Sequence, residues 1–134
     1  MTFPKKCWPA EVPPSVQSLL SGLLPQLIEG VHPALAALRE QYRVATLSEV
    51  ELTGVGFFVH FEIPPGPPLT EPANFSGGSA EIMLTGTEHG AGCLVFVRDG
   101  RLSMFEGFTY DDPWREDAQV LEIKSVTPMN PSKG

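Results

Sequence analysis

The stretch from Cys93 to Tyr110 constrains this chain more than any other. It reads Cys93-Leu94-Val95-Phe96-Val97-Arg98, then Asp99-Gly100, then Arg101-Leu102-Ser103-Met104-Phe105-Glu106-Gly107-Phe108-Thr109-Tyr110. Asp-Gly between two β-prone runs predicts a hairpin. A two-residue type I′ turn needs φ > 0 at both central positions, which Asp tolerates and Gly adopts freely. The first arm is apolar almost throughout, which predicts a mid-sheet strand covered on both faces. The second arm alternates, with Leu102, Met104 and Glu106 on one face and Ser103, Phe105 and Gly107 on the other.

Upstream of the hairpin the period changes. Val16, Leu19, Leu20, Leu23, Leu24, Leu27 and Ile28 recur at helical spacing from Ser15 onward, an amphipathic stripe led in by Pro13-Pro14 and stopped by Gly30. Pro25 conflicts with one continuous helix, because an interior proline loses a backbone hydrogen bond and clashes with the preceding turn. A kink, or two short helices meeting near Gly22, is expected. A second helix is predicted from Pro33 to about Tyr42, with Leu35, Leu38 and Tyr42 on one face, and His32 belongs to its start.

Strands are predicted from Val44 to Leu52, from Phe57 to Ile63, from Ser79 to Leu84 and from Gln119 to Val126, besides the two hairpin arms. In the first of these Val44, Val50 and Leu52 share a face with Thr46 and Ser48. Residues 64–78 form a long connection rich in Pro and Gly, most simply a surface excursion. The arm 1–13 is Pro-rich and irregular, with Phe3 and Trp8 as anchors, and residues 127–134 read as a frayed tail. The whole predicts a single α+β domain over 1–134: two N-terminal helices packed on one face of a mostly antiparallel sheet of five or six strands.

Composition narrows the partners. The 134 residues carry nine Lys and Arg against sixteen Asp and Glu, a net charge of −7, and the basic residues are scattered. Nucleic acid binding needs a basic stripe that releases counterions, so it is not expected. The N-terminus lacks the apolar core of a signal peptide, and no apolar run is long enough for a membrane span. With two cysteines, Cys7 and Cys93, a disulfide scaffold is not expected either, and a cytoplasmic protein with reduced thiols is the default.

Catalytic motifs are absent: there is no nucleophile elbow, phosphate loop or dinucleotide fingerprint. No cofactor is implied, and the three histidines, His32, His60 and His89, do not have the spacing of a metal site. Cys93 opens an apolar strand, where a thiol without a cationic neighbour is inert. The densest polar feature follows the hairpin. Asp111, Asp112, Glu116 and Asp117, beside Tyr110 and Trp114, could present carboxylates and aromatic anchors to a basic protein surface, since charges steer encounter while aromatics supply buried area. The competing reading is a solvated loop in which Trp114 folds back as core. A second constellation, His60, Glu62 and Glu106, would serve a small hydrolase or ligand-binding domain with a pocket on the sheet. A third possibility is a homodimer pairing through a sheet edge or an apolar face.

Gly54-Val55-Gly56-Phe57-Phe58, the run from Gly90 through Leu102, Glu106-Gly107-Phe108-Thr109-Tyr110, Trp114 and the start His32-Pro33-Ala34-Leu35 resemble a family of small uncharacterised bacterial α+β proteins. That resemblance spans roughly residues 32–114 and implies no activity and no catalytic residues. In size, acidity and fold class the chain also resembles toxin-immunity proteins, which implies a non-enzymatic inhibitor of a basic toxin.

Overall fold

The computed structural model describes residues 12–131. The anchors expected in the arm, Phe3 and Trp8, lie outside that range, as do Cys7 and the last three residues of the expected tail. Three helical segments, α1 (Pro14–Gly22), α2 (Leu24–Leu27) and α3 (Pro33–Val44), precede six strands. These are β1 (Thr46–Leu52), β2 (Gly56–Glu62), β3 (Phe75–Leu84), β4 (Ala91–Arg98), β5 (Arg101–Thr109) and β6 (Val120–Thr127). The strands form one sheet in the order β1-β2-β5-β4-β3-β6, and every neighbouring pair is antiparallel. The chain is an α+β protein.

Pro25 explains the bend between α1 and α2. The first helix stops at Gly22, and the proline falls in the opening turn of α2, where no N–H is needed. The stripe Val16, Leu19, Leu20, Leu23, Leu24 and Leu27 is fully buried against the sheet. His32 caps α3, its Nδ1 accepting the Ala34 N–H at 3.0 Å. The segment after β6 stays docked as far as Met129, which is buried and donates its N–H to the Leu27 carbonyl at 2.9 Å. Fraying therefore does not begin at Thr127.

The hairpin turn is as predicted, with φ of 54° at Asp99 and 77° at Gly100, the left-handed values a type I′ turn requires. The long connection is pinned to this turn rather than loose. Gln41, fully buried on α3, donates to the Pro68 and Gly100 carbonyls at 2.9 and 2.8 Å and accepts the Leu102 N–H at 2.8 Å. Thr70 N–H donates to the Gly100 carbonyl, and Gly100 N–H to the Ala73 carbonyl. The turn is clasped from helix and loop together.

Register shifts interrupt several strand pairs, and those in β5 and β1 change the inward faces expected of these two strands. In β5 the pairing with β4 shifts between Phe96 and Val97, leaving Ser103 as the extra residue, so that Leu102 and Phe105 are both buried. The expected face of Leu102, Met104 and Glu106 is split accordingly, because an extra residue shifts the alternation by one. In β1 the register shifts at Ser48, which turns Leu47 and Val50 to the core. Val44 ends α3 instead of opening a strand, and both it and Leu52 are exposed.

Among the described residues, the helices cover one face of the sheet only. Phe57 and Val59 of β2, Cys93, Val95 and Val97 of β4 and Phe105 of β5 are buried under them. The alternate residues of the same strands, Phe58, Leu94, Phe96, Met104, Glu106 and Phe108, are half-exposed. The expectation that the first hairpin arm is covered on both faces is thus corrected. β4 is central, but two helices are too few to sheathe both sides of a six-stranded sheet.

Candidate functional site

The acidic segment after β5 divides between core and rim. Trp114 is buried, packs edge-on against Phe57 with ring centroids 5.1 Å apart, and donates its Nε1–H to the Ser15 hydroxyl at 3.0 Å. It is an internal anchor and cannot be presented to a partner. Its descent is guided by the β1–β2 turn, where the Gly54 and Val55 carbonyls accept the Trp114 and Thr109 N–H groups. Asp112 braces the loop, its Oδ2 accepting the Glu88 N–H at 2.9 Å and its carbonyl accepting the Thr109 hydroxyl. Asp111 lies 3.7 Å from His89 and Asp117 3.4 Å from Arg115, all largely exposed. Glu116 is exposed. Of the six residues singled out around this loop, Tyr110 reaches the open face of the sheet, through its contact with Glu81.

His60, Glu62 and Glu106 do share that open face, yet the register keeps them apart. His60 pairs with Met104, Glu106 with Phe58 and Glu62 with Thr46, so His60 and Glu106 are diagonal neighbours at a typical separation of about 7–8 Å. The histidine is instead beside β1, 3.6 Å from Glu51 and directly opposite Glu49. The Glu49, Glu51 and His60 ligand atoms lie within 4.8 Å of one another. Two carboxylates and an imidazole suit a borderline divalent cation such as zinc better than calcium or magnesium.

Reading across the strands, one row of the open face runs Glu51, Phe58, Glu106, Leu94, Ser79, Thr127. The row beside it runs Glu49, His60, Met104, Phe96. A third runs Phe108, Gly92, Glu81, Ser125. The face is an apolar centre crossed and bordered by carboxylates. Sequence reasoning missed Glu49, Glu51, Phe58, Glu81, Leu94, Phe96 and Met104 as site residues. The signal is present, since Phe58, Leu94 and Phe96 are apolar at positions of opposite parity to the core, but in β4 a continuous apolar run also predicts cover on both faces.

Over Gly92 the third row forms a groove of about 300 Å³. A side chain at Gly92 would collide with the Phe108 ring and the Tyr110 hydroxyl, both within 3 Å of where its Cβ would stand. Without one, Phe108 and Tyr110 pack edge-on at 5.8 Å across the strand, and the Tyr110 hydroxyl reaches both Glu81 carboxylate oxygens at 2.8 Å. Partial desolvation, and then the hydrogen bond to Glu81 and its charge, push the phenol of the largely exposed Tyr110 up to about 12. The hydroxyl therefore stays a donor across the physiological range.

An α+β protein with an antiparallel six-stranded sheet, sheathed by helices on one side and, among the described residues, open on the other, is the class that fold and site define. No family model matches the chain, and no curated protein and no solved structure matches it. Among the described residues, no helix is long and apolar enough to cross a membrane.

Proposed function

We propose that this is a non-enzymatic binding protein that docks a basic protein partner on the open face of its sheet, in the manner of an immunity protein neutralising a toxin. The observation that carries this reading is the row in which Glu51, Phe58, Glu106 and Leu94 stand side by side across four strands. Half-exposed apolar side chains gain from being covered, at about 25 cal/mol per Å² of apolar surface removed from water. Interleaved carboxylates select what covers them, favouring a positive surface and repelling a second copy of the same face. The partner surface proposed here is the sheet and not the loop 110–117, with Tyr110 at its border. A hydrolase built on His60, Glu62 and Glu106 has less behind it, because the carboxylate beside His60 is that of Glu51, at 3.6 Å.

The reading is tested by tagged capture from the source organism's lysate, comparing Glu51→Lys/Glu106→Lys with Glu116→Lys/Asp117→Lys. The account expects a partner of high isoelectric point that is lost with the first pair, retained with the second, and weakened by salt. Loss with the loop pair alone would return the site to the acidic loop. Indifference to both would remove charge recognition from the account.

A further inference from the structure

Within the open face, the groove over Gly92 is more specific than its surroundings. One wall is aromatic, formed by Phe108 and Tyr110. At the rim of that wall stands the exposed carboxylate of Glu81, whose partner among the described residues is the Tyr110 hydroxyl. Leu94 lies alongside, and the Ser79, Ser125 and Thr127 side chains bring hydroxyl groups. A carboxylate and hydroxyl oxygens accept hydrogen bonds, and a ring face attracts a cation; the lining residues include no Lys or Arg. A planar cation with several donors answers all three features, and guanidinium is that group. It stacks on aromatic faces, donates through five N–H groups, and is more weakly hydrated than an ammonium.

We infer that this groove is the receptor for an arginine side chain of the protein partner, stacked on the Phe108–Tyr110 wall with its N–H edge turned to the Glu81 carboxylate at the rim. The inference rests on the reading of the open face as a protein-binding surface and names the anchor that surface takes. The Tyr110–Glu81 hydrogen bond holds the carboxylate in place before the ligand arrives, so little side-chain entropy is left to lose. The narrow approach over Gly92 is what permits that bridge. A charge at the rim of an aromatic wall is the arrangement in which one desolvated arginine becomes a dominant contact of an interface.

The test uses the full chain, ¹⁵N-labelled, titrated with N-acetyl-arginine-N-methylamide and, in parallel, with the neutral isostere N-acetyl-citrulline-N-methylamide. Saturable amide shifts centred on Gly92, Leu94 and Ser79 are expected with the arginine compound, with citrulline weaker by about tenfold or more, as loss of a charge-assisted hydrogen bond implies. Glu81→Gln, nearly isosteric and still able to accept from Tyr110, should lose most of the preference for arginine while its spectrum stays folded. Absence of saturable shifts, equal response to arginine and citrulline, or an unchanged preference in Glu81→Gln would each overturn the groove assignment. The outcome separates from that of the open-face reading. A failed titration with capture still abolished by Glu51→Lys/Glu106→Lys removes the groove alone. A positive titration with capture indifferent to that pair removes the face and leaves an arginine site.

Discussion

Cys93 shows how far one residue's chemistry is set by which side of β4 it occupies. Its side chain is 1% exposed under the helices, and burial, followed by the nearby Glu81 charge, pushes its thiol from 9.0 up to about 12. Two outcomes follow. In the native protein at about pH 8, iodoacetamide with peptide mapping should leave Cys93 unmodified, and labelling should appear only in denaturant. Between pH 9 and about 12 the unfolded chain releases this proton while the folded chain keeps it. Stability therefore falls as pH rises, by at most about 1.4 kcal/mol per unit for this one group. Denaturant titrations of wild type and Cys93→Ala should diverge across that window and run parallel below it; parallel curves throughout would contradict the assignment. The inertness of Cys93 is legible from its apolar neighbours. The burial of Trp114 is only one of two readings the sequence offers, because the Ser15 hydroxyl that satisfies its indole lies on α1, about a hundred positions away. Asp and Glu beside an aromatic look alike on paper whether the ring points out or in.

At the scale of elements, the sequence announces the strands and helices well and the phase of two strands badly. Asp99-Gly100 specifies its own turn because the demand is local: two positive φ values in succession. Gly100→Ala tests this. At φ 77° a side chain is strained, and its Cβ would stand 2.9 Å from that of Leu69 in the clasping loop. The expected loss is about 1–2 kcal/mol by denaturant unfolding, and a loss near zero would mean that the clasp around the turn is looser than described. Pro25 is equally local and rightly predicts the break near Gly22. The bulges at Ser48 and Ser103 are not local. Each is settled by what the neighbouring strand needs, and each moves apolar residues between faces, as Leu47 and Leu102 show. A reading that counts odd and even positions fails from the bulge outward.

For the whole molecule, the informative mismatch is between a six-stranded sheet and too little helix to cover it twice. The continuous apolar run of β4 predicts cover on both faces, whereas Leu94 and Phe96 are only half-buried on the open side. That error hid the candidate site, since the site is the uncovered face. With a net charge of −7 and Glu49, Glu51, Glu62, Glu81 and Glu106 gathered on that face, long-range attraction of a basic partner and short-range apolar burial act at one place. The four methionines give a direct probe, because Met104 lies on the open face beside Phe96 and His60 while Met129 is buried under α2. With methyl-¹³C methionine in the full chain and the captured partner added, the Met104 methyl resonance should move or broaden and the Met129 resonance should hold its position. A Met104 signal that stays unchanged in the saturated complex would contradict the claim that the open face of the sheet is where this protein binds.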